Sequence, residues 1–328
     1  MSRLVSILIP CFNAERWVGQ AIESALAQTW SEKEVIVVDD GSTDGSLAII
    51  KSFGDRIRWE SGANRGGNNA RNRLIDLAQG QWLQFLDADD YLMPHKIAGQ
   101  AAVIQAYPDV DVLFGPAMVE WHIPGMSGVT LEEIPEPRDL WVLLALWNLP
   151  QTGAPLWRKS ALQEVGGWRV DQPCCQEHEL YFRLLAAGKR FRYDDAHGAV
   201  YRRFASGSLS TRNPSLVRRE RLKIEKRLED HLIAIGALTP QRQWAINQGR
   251  FEMARSAWNQ DRQEARAILS TIVAPRRFQP EGDAAPRLYR MAFRLFGFEI
   301  AERIATFRRG ALRSLIEPQA KRLPDAAD

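Results

Sequence analysis

The sequence predicts an α/β sandwich with a mostly parallel central sheet over residues 1–214, followed by an all-helical C-terminal region over 215–328. Three observations carry that prediction. Short apolar, β-branched runs alternate with amphipathic segments through the first half of the chain. Three of those runs end in dense polar or acidic turn clusters. From about Ser215 glycine becomes sparse, and Arg, Glu, Leu and Ala dominate. A length of 328 residues suits about two domains.

The elements follow in order. Leu4 to Ile9 is apolar throughout most of its length, as expected of a strand covered on both faces. Asn13 is placed to cap a helix in which Val18, Ile22, Ala25 and Leu26 recur at helical spacing. Glu34 to Val38 forms a second strand, ending in the turn-forming run from Asp39 to Asp44. A short helix over Leu47 to Phe53 and a third strand over Ile57 to Trp59 come next. A polar loop from Asn64 to Asn69 leads into a helix over Ala70 to Ala78. Trp82 to Leu86 is another strand, and Pro94 opens a helix running to about Ala106.

Beyond Val112 to Val119 the pattern loosens. Pro124, Gly125, Gly128, Pro135 and Pro137 predict a long loop. Helices are expected over Asp139 to Trp147 and Gln176 to Ala187, with strands at Ala154 to Trp157, Phe191 to Tyr193 and Ala199 to Phe204. Leu216 to Ile235, Gln241 to Trp258, Arg262 to Ile272 and Leu288 to about Leu315 read as the C-terminal helices.

Composition excludes several classes. Hydrophobic residues make up 45% and charged residues 25%, ordinary for a globular protein. Forty-three Lys and Arg against 40 Asp and Glu leave +3, without the concentrated basic balance of a nucleic-acid binder. The cysteines are Cys11, Cys174 and Cys175, an odd number with two adjacent. That disfavours a disulfide framework, fits a reducing compartment, and predicts three small buried apolar residues. No secretory leader pattern opens the sequence, and the longest apolar run, Leu140 to Leu149, is too short to span a bilayer. The expected location is the cytoplasm.

The chemistry is expected at one sheet edge. In an open α/β sheet, ligands bind beyond the carboxyl ends of the strands. Pro10 and Asn13 follow the first strand, Asp39 and Asp40 the second, and Asp87 and Asp89 the fourth. Residues two apart in an extended chain point the same way, so Asp87 and Asp89 repel unless a cation lies between them. Hard oxygen ligands suit Mg²⁺ or Mn²⁺, which complete their shells with water and phosphate. The alternative is a solvated turn. A haloacid-dehalogenase-type phosphatase also carries Asp-x-Asp after a buried strand. However, its Thr or Val is replaced here by Tyr91, and the motif comes late in the chain.

Four segments together resemble the family 2 glycosyltransferases. They are SILIPCFN (Ser6 to Asn13), VIVVDDGS (Val35 to Ser42), NRGGNNARN (Asn64 to Asn72) and FLDADD (Phe85 to Asp90). The resemblance covers roughly residues 4 to 205 and is strongest from 4 to 94. It implies the GT-A fold, a nucleotide-sugar-binding α/β domain. It further implies that Pro10 lines the nucleotide base, with Asn13 among the donor-binding positions. Asp40 would accept a hydrogen bond from the base, matched to the imide N–H of uracil or thymine. Arg71 would lie near base and diphosphate, Asp87 on the ribose or metal side, and Asp89 would bind the divalent metal. Asp44 is expected to serve as a helix cap.

The resemblance also places a catalytic base at Glu177, in the run from Gln176 to Arg183. Helix geometry supports it: Glu177 is three residues before Leu180 and seven before Leu184, so the three share a face. Glu179 points about 200° away. Many relatives carry a histidine after the late Tyr-Arg strand, where this chain has Phe204. Water and phosphate, or an arginine, would then complete the charge balance, with Ser206, Ser208 and Ser210 close to the diphosphate.

The implied activity is inverting transfer of one sugar from a nucleotide-sugar, UDP-linked by preference, to a carbohydrate or lipid-linked acceptor. The processive-synthase pattern Gln-x-x-Arg-Trp is missing: Gln241 to Trp244 reads Gln-Arg-Gln-Trp. No Gly-x-Gly-x-x-Gly follows the first strand, which disfavours a dinucleotide oxidoreductase. A non-catalytic nucleotide-sugar binder is the remaining alternative. Acceptor contacts are expected from Val119 to Trp168, where Trp121, Trp141, Trp147, Trp157 and Trp168 could stack on a sugar or fill the core. The last helix mixes Arg with Leu, Ile and Phe. It reads either as a basic amphipathic helix on an anionic membrane or as a packed helix with a solvated Arg face.

Overall fold

A computed structural model describes residues 4–136, 138–204 and 213–320, with side chains up to residue 308. Packing divides the chain into two compact units, Met1–Ile235 and Gly236–Asp328.

The first unit is built on seven strands. They are β1 (Val5–Cys11), β2 (Lys33–Asp39), β3 (Arg58–Ser61), β4 (Trp82–Phe85), β6 (Val112–Phe114), β9 (Leu156–Arg158) and β10 (Phe191–Tyr193). Their order across the sheet is β10-β6-β9-β4-β1-β2-β3. Only β9 is antiparallel to its neighbours. The apolar runs explain the central position of β1: Val5, Ile7, Leu8 and Ile9 are all 0% exposed, so both faces are covered. Helix α1 (Val18–Leu26) buries Val18, Ala21, Ile22 and Ala25, one stripe of its surface. Helices α2 (Ser46–Ser52), α3 (Gly67–Leu77) and α4 (Lys96–Ala106) complete the alternation in this half.

A second sheet runs β5-β11-β7-β8, from β5 (Tyr91–Leu92), β11 (Ala199–Phe204), β7 (Ala117–Ile123) and β8 (Met126–Glu132). The hairpin β7–β8 replaces the loop expected after Val119. It pairs Ala117 with Glu132 through to Ile123 with Met126, closed by Pro124 and Gly125. Proline suits the first central position of such a turn, and Gly125 takes the positive φ of 81° that the second requires.

Helices α5 (Leu140–Ala145), α6 (Lys159–Glu164) and α7 (Gln176–Ala186) follow. Asp139 caps α5 by accepting from the backbone N–H groups of Trp141 and Val142. The helix stops short of Trp147, whose φ is 63°. Helix α8 (Pro214–Ala234) packs against α5 and α7. That contact is why the division falls after Ile235 rather than at the composition change near Ser215. Arg227 of α8 reaches Glu179 of α7 at 2.9 Å.

The second unit holds α9 (Pro240–Trp258), α10 (Arg262–Leu269) and α11 (Arg287–Ala320), the last broken at Gly297. Thr239 and Asp261 cap α9 and α10. Phe251 of α9 is the centre of an aromatic core, with Phe278, Tyr289, Phe293 and Phe298 at 5.6 to 5.9 Å. Among the described residues, no helix is long and apolar enough to cross a membrane.

Candidate active site

Because β1, β2 and β4 are parallel, their C-terminal ends lie on one edge of the sheet. Pro10 to Asn13, Asp39 to Ser42 and Asp87 to Asp89 therefore come together there. Asn13 does not cap α1. It sits at φ 49°, and α1 begins at Val18 with no side-chain cap. Its Oδ1 instead accepts from Thr43 N at 2.8 Å, while its own N–H donates to Ser42 Oγ at 2.9 Å. Asp44 accepts from the backbone N–H of Ser46, at the entry to α2, and from that of Glu15. These bonds lace the two strand-end loops together.

Asp39 is buried and accepts from Ser61 Oγ at 2.7 Å. Asp40 accepts from the backbone N–H groups of Arg65 and Gly66, both at 2.8 Å. One carboxylate thus sets the loop that leads into α3. The intervening Gly41 has φ 76°, and a Cβ there would lie 2.6 Å from Asn64 N, so only glycine fits.

Helix α3 then delivers Arg71, whose Nη2 donates to Asp87 Oδ1 at 2.7 Å. The guanidinium also lies over the Trp168 ring at 5.1 Å. Asp87 and Arg71 line a cavity of about 470 Å³, and Glu177 stands on its wall from the first turn of α7. Burial, opposed in part by Arg71, holds the Glu177 carboxyl above the usual glutamate range. Glu179 faces elsewhere, as its helix position requires. It is 0% exposed and paired with Arg183 at 2.8 Å and Arg227 at 2.9 Å.

The structure therefore joins Arg71, Asp87 and Glu177 in one cavity. Pro10, Asn13, Asp40 and Asp89 lie along the same strand edge but outside the cavity lining. Asp89 is linked to it by charge: burial and then the Asp87 carboxylate push its pKa up to about 6. A divalent cation would relieve that repulsion, and two hard carboxylates suit one. Asp87 already shares an oxygen with Arg71, which leaves Asp89 the less compensated of the two. Among the described residues, no group of three or more His, Cys, Asp or Glu forms a complete metal cage. Any such ion would take the rest of its shell from water or phosphate.

Strand β11 supplies residues that the sequence reading did not place. Tyr201 and Arg203 line the cavity, whereas Arg202, pointing to the opposite face, is 4% exposed. Arg202 donates to Asp89 O, Glu120 and Gln20, and its N–H donates to Asp90 Oδ1. It is a clamp behind the acidic turn, and Arg203 is the cation that β11 adds to the cavity beside Arg71. The period-two alternation of Tyr201-Arg202-Arg203 was the signal for this. Phe204, which follows Arg203, packs against Trp17 and His122 at 5.5 and 5.1 Å. Ser206, Ser208 and Ser210 lie outside the described residues.

Cys11 and Cys174 are buried as expected, whereas Cys175 is half-buried, and Cys174 and Cys175 both line the cavity. Cys175 stands in the left-handed conformation at the start of α7, and burial raises its thiol pKa, so it is not a reactive thiolate. His178 also lines the cavity and stacks on Trp147 at 3.6 Å. Burial and Arg221 lower its pKa to about 3, so its imidazole is neutral. Trp157 and Trp168 are core residues at 0% and 1% exposure.

Residues 6–164 match the family model described as Glycosyl transferase family 2. The first unit carries a family 2 glycosyltransferase domain. An uncharacterized glycosyltransferase of Nostoc sp. (strain PCC 7120) is 31% identical over 210 residues, 60% of this chain and 65% of the relative. One from Rickettsia bellii is 31% identical over 192 residues, 56% of this chain but 27% of the relative. Another from Rickettsia typhi is 39% identical over 112 residues, 34% of this chain and 35% of the relative. The chain thus spans about a third or less of the length of those two Rickettsia relatives. Among solved structures, S. aureus TarS 1–349 in complex with UDP-GlcNAc aligns at a TM-score of 0.62 and 15% identity, covering 93% of this chain and 92% of that one. The glycosyltransferase domain therefore has the GT-A fold, followed by the C-terminal helices.

Proposed function

We propose that the protein is an inverting, non-processive glycosyltransferase that moves one sugar from a UDP-sugar to an acceptor hydroxyl. The observation that carries this reading is the convergence of Arg71, Asp87 and Glu177 on one cavity at the sheet edge. The TarS neighbour, of the same fold, is in complex with UDP-GlcNAc, which supports a UDP-linked donor.

Glu177 would act as the base. It removes the acceptor proton as the hydroxyl oxygen attacks the anomeric carbon, and the bond from that carbon to the diphosphate oxygen breaks. Its raised pKa keeps it a stronger base than an ordinary glutamate. One displacement inverts the anomeric centre. Asp89 and Asp87 would hold a Mg²⁺ or Mn²⁺ ion, which when bound neutralises charge on the departing diphosphate. Arg71 and Arg203 add fixed positive charge on the same cavity, preorganised for the leaving group. Asp40 and Pro10 would face the base. Asn13 serves the donor by fixing the loop beside it. The neutral His178 and the Glu132–Glu133 pair line the remaining wall and would meet the acceptor. The acceptor class is a carbohydrate or a lipid-linked sugar of surface polysaccharide, lipopolysaccharide or glycolipid assembly. A cytoplasmic location fits the three free cysteines.

UDP release from a panel of UDP-sugars, with water or added hydroxyl acceptors, tests this. Wild type releases UDP from one donor and Glu177→Gln releases far less. Equal release by both proteins would remove Glu177 from the mechanism.

A further inference from the structure

Helix α11 presents a face that the core does not use. Before the break at Gly297, Tyr289 and Ala292 turn inward at 6% and 9% exposure. Leu288, Met291 and Leu295, spaced i, i+3, i+7, turn outward at 59%, 60% and 68%. After the break Phe298 and Ala301 turn inward, while Ile300, Ile304 and Phe307 are 44%, 44% and 79% exposed. Two successive helical segments thus each carry an outward apolar stripe, where one or two scattered residues would need no explanation.

The charges beside these stripes have one sign. Arg287, Arg294, Arg303 and Arg308 are exposed. The two acids of the same stretch are neutralised on other helices: Glu299 pairs with Arg266 of α10, and Glu302 with Arg255 of α9. The asymmetry extends to the sequence. Residues 236–328 hold 16 Lys and Arg against 10 Asp and Glu, net +6, whereas residues 1–235 hold 27 against 30, net −3.

An apolar stripe rimmed only by arginines fits an anionic bilayer, where the apolar side chains enter the acyl boundary and the guanidinium groups meet lipid phosphates. A second copy fits poorly, because a two-fold contact through this face would press one arginine rim against another. A nucleic acid would satisfy the arginines but leave the apolar side chains in water. We propose that α11 docks the protein peripherally on an anionic membrane surface, lying in the plane of the interface with Leu295 and Phe307 inserted. This inference rests on exposure and charge and is independent of the transferase reading. If both hold, the enzyme works where a lipid-linked acceptor is presented.

Flotation of the full chain with phosphatidylcholine vesicles, with and without phosphatidylglycerol, is the test. Wild type is expected to float with the anionic vesicles and to stay down with phosphatidylcholine alone. The double variant Leu295→Glu/Phe307→Glu changes only exposed side chains and is checked for unchanged helicity. It should lose at least about tenfold in partitioning, since it removes apolar insertion and adds repulsion. Arg287→Gln and Arg294→Gln should each lower partitioning roughly fivefold and flatten its salt dependence. Equal flotation of wild type and the double variant overturns the proposal, as does equal binding to both vesicle types. So does a dimer in light scattering that Leu295→Glu abolishes while vesicles never bind, which would make a second copy the occupant.

Discussion

Arg71 holds Asp87 at 2.7 Å and lies 5.1 Å from the Trp168 ring, so one side chain fixes the acidic turn after β4 and packs on the core. The arrangement needs a planar, delocalised cation. Arg71→Lys keeps the charge but loses stacking and fork geometry. We expect kcat/KM for the donor to fall by about tenfold or more, with the melting temperature little changed. Steady-state kinetics beside a thermal melt would check this.

The two glutamates of α7 separate chemistry from structure. Glu177→Gln should lower kcat by about 10²- to 10⁴-fold and leave nucleotide binding intact. Glu179→Ala should do the reverse. It strands Arg183 and Arg227 beside a buried site, a loss on the order of 3–5 kcal/mol in urea unfolding, while the folded fraction retains turnover.

Glu177 also gives a pH signature. Its folded pKa is raised, so the folded state binds the proton more tightly than the unfolded chain. Stability is therefore greatest below the unfolded pKa and is lost as pH rises through the folded one. Glu177→Gln should melt higher than wild type at neutral pH and equally in acid. Thermal melts of both proteins across that range decide it. A gain that persists in acid would mean that the carboxylate charge is not the cause.

Gly41→Ala should cost on the order of 1–3 kcal/mol, because the new methyl meets Asn64 N in a left-handed turn. The loop held by Asp40 would move with it, so donor affinity should fall together with stability. Urea unfolding and nucleotide titration on the same sample would read both.

Much of this site was legible in the sequence because its strands are buried on both faces and end abruptly in acids. β1, β2 and β4 announce themselves as apolar runs, and parallel pairing then brings their ends together. The opposite faces of Glu177 and Glu179 follow from helix period alone. The β7–β8 hairpin was not legible. Every residue of β8 is exposed, so no inward alternation marks it, and Pro124 and Gly125 look like any loop. Asn13 misled for a related reason. Its side chain was free to cap α1, but Thr43, on a loop distant in sequence, competes for it and wins. The cavity positions of Cys174 and Cys175 depend on where the start of α7 packs, which no local pattern encodes, and strand alternation separates Arg203 from Arg202 without saying which of the two faces the cavity.

The donor site at the sheet edge is tested most directly by calorimetric titration of UDP, GDP and dTDP, each with and without Mn²⁺. Wild type and Asp89→Ala are compared. The expected result is one preferred nucleotide, UDP, whose affinity rises with Mn²⁺ in wild type and is indifferent to it in Asp89→Ala. Absence of binding by any nucleotide under every condition would contradict the account, because the sheet edge would then hold no donor.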